Sequence, residues 1–283
     1  MTVAAPPLDR LDTAFRRWAD AHPERPDVLC DQSLALASLF EVLADLLAQR
    51  ARGAVLDLGT GFGAVASRLA ARGRRVVGVD VDRDVLDAAR EIAATAGLET
   101  RARFVRADAT ALPFGDGSFG LVVASLLFQH LAAPEQVVAE ASRVLGPQGT
   151  VAVFDVDDGL GVVHPRTAAL ERLEEAFSAW QAGVRGDRQV GRKVPALLDA
   201  AGFGSIEVFV LPEARYSPTA PGSEPRRLTT RRLRAAREGI VGAGVVSAAA
   251  FDALVADVES APARRVLRCE GRVLVLGRKD GAR

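Results

Sequence analysis

Three glycines and three aspartates hold most of the chemistry in this sequence. In VLDLGTGFG, residues 55–63, Gly59, Gly61 and Gly63 follow a short apolar run of strand character and precede a helical pattern. Without a Cβ the backbone there turns tightly and approaches a ligand, and the N-terminus of the next helix offers unpaired N–H groups. A nucleotide-type cofactor suits such a loop. Asp80 ends the next strand, 21 residues beyond Gly59, where a carboxylate accepts hydrogen bonds from both hydroxyls of a ribose. Asp108, in RADATALPF at the end of a third strand, is placed to accept from an adenine amino group, or else to cap a turn. Gly59, Gly61 and Ala64 also satisfy G-x-G-x-x-A, so spacing alone leaves NAD or FAD open. Asp57, two residues before the first glycine, argues against them, because a carboxylate in this loop repels a pyrophosphate and suits a ligand with ammonium and sulfonium charges.

Positioning these groups takes a sheet whose strands end on one side. From Ala54, short β-branched runs alternate with helical patterns: AVLDL, GAVASRLAARG, RVVGVD, RDVLDAAREIAATAG, ARFVRAD, LVVAS, PEQVVAEASRVLG and TVAVFDV. This βαβ repetition predicts a mainly parallel sheet with helices on both faces. Two helices, over 8–20 and 32–50 and separated by the breaker HPERPD, precede it. After Val156 come helices near 166–183 and 192–201, a strand SIEVFVL, a loop over 212–225 with four prolines, two helical patterns in 226–259, and the strand RVLVLG at 272–277. The reading is one integrated α/β domain: a helical cap over 1–50, a Rossmann-like cofactor core over 51–211, and a helical insertion with the final strand over 212–283.

The chain's 283 residues are ample for a buried core. Lys+Arg and Asp+Glu are both 36, which leaves no domain-wide basic field for a phosphate backbone, so nucleic acid is a poor partner. Lys193 and Lys279 are the only lysines. The arginines of RRLTTRRLRAAREG read as a solvated face, with an acidic substrate or partner surface as the alternative. Cys30 and Cys269 and the three histidines have no metal-finger spacing. No basic-then-apolar leader opens the chain and no apolar run reaches membrane-spanning length, so the expectation is a cytoplasmic protein off the membrane, monomeric or homodimeric.

These motifs together resemble the S-adenosylmethionine-dependent methyltransferases with a Rossmann-like core, from about Ala54 to Val210. VLDLGTGFG is similar to that family's glycine motif, GVDVDRDVLDAAR to its ribose-binding strand and helix, RADATALPFGDGSFG to its adenine loop, and SRVLGPQGTVAVFD to the turn into its fifth strand. GRKVPALLDAAGF resembles a segment of the small-molecule and quinone branch. The resemblance implies that Gly59, Gly61 and the backbone around Thr60 hold the methionine part, with Asp57 and Ser125 beside it. It places Asp80 on the ribose, Val81 on an adenine face, and Asp108 with Ala109 on the adenine edge. It also implies a seven-stranded sheet with an antiparallel last strand, RVLVLG lying between TVAVFDV and SIEVFVL. Two departures stand out: Gly120 where the family commonly has an acid, and Gln148-Gly149 where it has Gly-Gly.

No Asn- or Asp-Pro-Pro-aromatic turn follows LVVAS, as it would in nucleobase amino-methyltransferases, so a small organic acceptor is favoured. Ser125, Leu126 and Leu127 stand where catechol-type enzymes need acidic metal ligands, and although Asp155, Asp157, Asp158 and His164 crowd the end of the fifth strand, the reading is metal-independent. Ligands in open α/β sheets bind beyond the strands' carboxyl ends, which puts Gln129, His130, Asp155 and His164 near the acceptor. His130 is the candidate base for a hydroxyl acceptor, with polar-contact and purely structural roles as alternatives. Phe15 and Trp18 are candidate lid residues over an apolar acceptor, or else core. Two other functions remain: an NAD-dependent oxidoreductase, and a non-catalytic methyltransferase-fold subunit that binds cofactor.

Overall fold

The computed structural model of the chain describes residues 8–22, 28–184 and 186–279. Four parallel strands form the cofactor half: β1 (Val55–Leu58), β2 (Val76–Asp80), β3 (Ala102–Arg106) and β4 (Phe119–Ser125), in the order β3-β2-β1-β4. Val55 stands in register with both Val76 and Leu121. The crossovers are α4 (Ala64–Ala71), α5 (Arg83–Thr95) and, after β4, α6 (Pro134–Val144). Asp82 caps α5 by accepting the Asp84 N–H, and one stripe of that helix, including Leu86, Ala89 and Ile92, is buried. Alternation along β1 divides two cores. Val55 joins the one covered by α1 (Leu8–Ala21), α3 (Ala37–Arg50), α4 and α5; Leu56 and Leu58 join the one covered by α6 and α8 (Val194–Ala200). Leu43 and Leu47 of α3 are fully buried, each a burial worth about 1.5–3 kcal/mol.

β5 (Leu145–Val156) extends the parallel set, and β8 (Arg265–Lys279) runs antiparallel between it and β7 (Phe203–Pro218), as the resemblance implies. Three details differ from the sequence reading. The sheet gains an eighth strand, β6 (Val162–His164), because β8 continues past the end of β5 and leaves an edge on which Val162–His164 pair with Leu267–Cys269. The expected loop at 212 is strand as far as Pro218. Pro212 lies opposite Gly271, and an edge strand tolerates a residue with no N–H to give. The helical segments also divide more finely: α2 (Val28–Ala35) precedes α3, and α9 (Glu224–Ala235), α10 (Arg237–Gly242) and α11 (Ala248–Ser260) replace two patterns by three helices. These pack with α7 (Ala168–Gly183) around Leu173, Phe177, Ile240 and Phe251 as a third core. Of the breaker at 22–27, only His22 lies among the described residues.

Both departures from the family pattern have a physical setting. A Cβ on Gly120 would fall 1.3 Å from the Arg52 carbonyl oxygen, so the backbone beside it admits no side chain. Gln148 occupies the left-handed region at φ 61°, where a glycine would sit without strain.

Candidate active site

The chain leaves β1 and turns into α4 through Gly59 and Gly61, both left-handed at φ 61° and 52°. A Cβ at Gly59 would stand 2.8 Å from Leu127 Cδ1, whereas one at Gly61 would meet nothing within 4 Å. The space above Gly61 is open to a ligand.

Carboxylates hold this loop by its amides. Asp57 lies beneath the loop rather than in it, 2% exposed, accepting from the Thr60 hydroxyl at 2.8 Å and from the Ala66 N–H. Burial, helped by the charge of Asp80, pushes its pKa up to about 7 against those two hydrogen bonds. Asp57 and Thr60 are thus spent on each other, and their side chains act on a ligand through loop shape and charge. Asp80 accepts the Gly61 N–H at 3.0 Å on Oδ2 and the Asp82 N–H at 3.1 Å on Oδ1. Each oxygen keeps a further lone pair for a ribose hydroxyl. Beside it Val81 exposes 57% of its surface. Asp108 takes the Thr110 amide and hydroxyl on Oδ1 at 2.8 and 2.7 Å, hydrogen bonds that hold its pKa below the usual carboxylate range, and Ala109 follows half-buried.

At the end of β4 the register pairs Leu58 with Ala124, which sets Ser125 abreast of Gly59. The Ser125 Oγ is buried with no hydrogen-bond partner among the described residues. A buried hydroxyl left unpaired costs about 1–3 kcal/mol, a cost a bound polar ligand removes. The next residue, Leu126, is left-handed at φ 56°, an uncommon conformation for leucine. No residue type announces it, so sequence reasoning missed it.

Asp155, expected to meet the acceptor, is fully buried and fastens the loop after β4. It accepts from the Phe128 N–H at 2.7 Å and the Gln129 N–H at 3.4 Å on one oxygen, and from its neighbour Val156 at 2.8 Å on the other. Burial raises its pKa to about 6 despite these amides. Gln129 is buried as well, with Nε2 on the Leu126 carbonyl and Oε1 accepting from Arg188. His130, next along, is exposed at one face, yet enough protein surrounds it that desolvation, helped by the Arg188 charge, holds its pKa below the ordinary value of 6.5. It is therefore neutral, and able to accept a proton, at pH 7. His164 does not join this group; it lies exposed on β6, opposite Leu267. Phe15 and Trp18 are core residues at 1% and 5% exposure, and the Trp18 ring packs 4.8 Å from that of Phe62 in the glycine loop, so they brace the loop and offer no lid. Asp157 is buried against Arg192, and among the described residues no three His, Cys, Asp or Glu side chains gather as a metal site.

The strand order, the two covered faces and the glycine turn out of β1 define a Rossmann-like α/β protein with its site at the carboxyl edge of the sheet. A methyltransferase-domain family pattern matches residues 56–153. The methyltransferase GfsG of Streptomyces halstedii is 33% identical over 209 residues, covering 74% of this chain and 71% of that protein. The demethylmenaquinone methyltransferase of Thermus thermophilus is 42% identical over 113 residues, 39% of this chain and 50% of that one. The crystal structure of the Bacillus halodurans C-125 protein BH2331 shares the fold, with a TM-score of 0.58 over 85% of this chain and 98% of that chain at 21% identity. The chain belongs to the Rossmann-like, class I S-adenosylmethionine-dependent methyltransferases and is an enzyme of that family. This sets aside the NAD-dependent oxidoreductase.

Proposed function

We propose that the protein transfers the methyl group of S-adenosylmethionine to a small organic acceptor without the help of a metal ion. The observation that carries the reading is the buried, unpartnered Ser125 hydroxyl set abreast of Gly59, beside the open space over Gly61. A polar ligand with an amino-acid end answers both. In this reading the backbone of Gly59 and Gly61, with Ser125, holds the methionine part, Asp80 the ribose diol, Val81 an adenine face, and Asp108 with Ala109 the adenine edge. Asp57 supports from beneath, where its ionised form favours a cationic ligand.

The bound cofactor supplies an electrophilic methyl group on a sulfonium. The chain supplies position: Asp155 grips the Phe128 and Gln129 amides and Leu127 packs on Gly59, so the segment after β4 is held against the cofactor loop. Holding a nucleophile in line at about 3–3.5 Å supplies much of the rate of such a displacement. For a hydroxyl acceptor, neutral His130 takes the departing proton. Two features support a small acceptor: the balanced charge of the chain, and a relative whose name gives demethylmenaquinone as its substrate. Metal independence is supported by Asp155 being spent on amides and Asp157 and Asp158 on Arg192 and Arg188.

The test is transfer of radiolabelled methyl to a panel of small hydroxyl, amine and carboxylic-acid acceptors with EDTA present. Label is expected in at least one small acceptor. Label only in RNA or protein, or transfer that EDTA abolishes, contradicts the proposal.

A further inference from the structure

A cavity of about 540 Å³ lies between α2, α7, α9 and the outer halves of β7 and β8. Its apolar lining includes Leu34, Leu36, Leu170, Leu228, Leu233 and Val266. Its charged lining is mainly cationic: eight arginines against three glutamates, an excess of five positive charges in a chain that is neutral as a whole.

The glutamates are already engaged. Glu213 and Glu270 both pair with Arg272, at 3.3 and 2.6 Å, and Glu174 with Arg166 and Arg268, at 2.5 and 3.5 Å. Three arginines make no side-chain hydrogen bond or ion pair among the described residues: Arg16, which is exposed, and Arg232 and Arg264, which are half-buried; the Arg232 guanidinium lies 4.9 Å over the Phe177 ring. Arg272, 5% exposed, also keeps a buried Nε without a partner. Desolvation, with the charge of Arg188, depresses the Arg232 pKa against the opposing charges of Glu270 and Asp158. Desolvated charges are ordinarily paired, so a lining with five positive charges in excess and two half-buried arginines without an ion-pair partner calls for an anion.

A chain of contacts links the cavity to the candidate active site. Arg272 stands in register with Val156, next to Asp155. Arg188 bonds to Gln129 and lies 5.9 Å from the Phe177 ring, the same ring that Arg232 covers. The contacts run from the segment after β4 to the arginine wall.

We propose that this cavity receives the methyl acceptor as an organic anion, an apolar body bearing a carboxylate or phosphate that takes the free donors of Arg232, Arg264 and Arg272. The assignment of this anion as the acceptor rests on the methyltransferase reading; the binding of an apolar anion does not.

Calorimetric titrations of the full chain with octanoate, octyl phosphate and 1-octanol test it, each run with and without saturating S-adenosylhomocysteine. The loss of one charge-assisted hydrogen bond is worth about ten- to hundred-fold in affinity. One or both anions should bind at least about ten-fold tighter than octanol, and their order reads which oxyanion is preferred. Arg232→Met and Arg264→Gln should each weaken the anion by about ten-fold or more and leave S-adenosylhomocysteine affinity unchanged. Inorganic phosphate should displace octanoate from the unmutated chain, a readout that needs no variant to fold. Octanol binding as well as the anions, anion affinity unchanged in both variants, or no displacement by phosphate overturns the anion site. Octanoate excluded by S-adenosylhomocysteine overturns its assignment to the acceptor. Absent S-adenosylhomocysteine binding with anion binding intact would instead fault the methyltransferase reading.

Discussion

The two halves of the ligand-side edge use their carboxylates in opposite ways. Around β1, β2 and the end of β4, Asp57, Asp80, Asp108 and Asp155 are spent chiefly on backbone amides and threonine hydroxyls, and each hydrogen bond fixes a loop. Around β7, β8 and α9, Glu174, Glu213 and Glu270 are spent on arginines, and cationic charge remains over. The first arrangement builds a shaped cradle with a negative bias, suited to hydroxyl donors and cations. The second builds a positive cavity with apolar residues in its lining. A two-substrate enzyme gains from this division, because neither substrate is at home in the other's place.

Gly61→Val should break the first half and spare the second. Nothing stands within 4 Å of the new Cβ, and the left-handed strain is about 1–2 kcal/mol against a typical stability of 5–15, so the circular dichroism spectrum stays and cofactor binding is abolished. Cofactor affinity within threefold of the unmutated protein would show that the loop is no cradle.

His130 sits where the halves meet, and its substitution reads their coupling. With a hydroxyl acceptor, His130→Ala should lower kcat by about 10² to 10⁴ with cofactor affinity nearly unchanged. In the unmutated enzyme kcat should rise with pH as the imidazole loses its proton, through a pKa below the ordinary 6.5, and Arg188→Gln should move that limb upward. A variant that keeps a third of kcat and the same profile would leave positioning alone as the source of rate.

How much of this was readable in the sequence follows the same division. The glycine loop, Asp80 and Asp108 were legible because a few residues at fixed spacing from strand ends do the work. The order β5-β8-β7 followed from resemblance. The arginine cavity was not legible, since Arg16 of α1, Arg232 of α9 and Arg272 of β8 share no local spacing and meet only through tertiary packing. The arginine-rich helix looked solvated for the same reason. Pro212 and Pro218 suggested a loop because proline breaks interior strands, and only the edge position of β7 admits them. Asp155 looked like a ligand contact because its type and place fit; its partners are amides, which leave no trace in a sequence.

The buried carboxyl of Asp57 makes the first half sensitive to pH. Its folded pKa of about 7 lies above the unfolded value of 3.8, so the folded state binds the extra proton and stability falls as pH rises between about 4 and 7, by about 1 kcal/mol per unit. Asp155, raised to about 6, adds to the lower part of that window. Asp57→Asn, which can still accept from Thr60, should flatten the fall in Tm between about pH 4 and 7 without abolishing it. An unchanged slope would mean the carboxyl titrates as if exposed.

The smallest effect lies outside both halves. Gln148→Gly relieves a left-handed residue worth about 1–2 kcal/mol and loses about half of that to glycine's entropy, for a net gain of about 0.5–1 kcal/mol in thermal unfolding. A lower Tm would mean the Gln148 side chain contributes contacts that outweigh its strain.

The most direct test of the cofactor site is a calorimetric titration of the purified chain and its Asp80→Ala variant with S-adenosylhomocysteine. One site per chain is expected, weakened by about 2–3 kcal/mol in the variant through loss of charge-assisted ribose hydrogen bonds while the fold persists. Equal affinity in a well-folded Asp80→Ala chain, or no binding to the unmutated one, would contradict it.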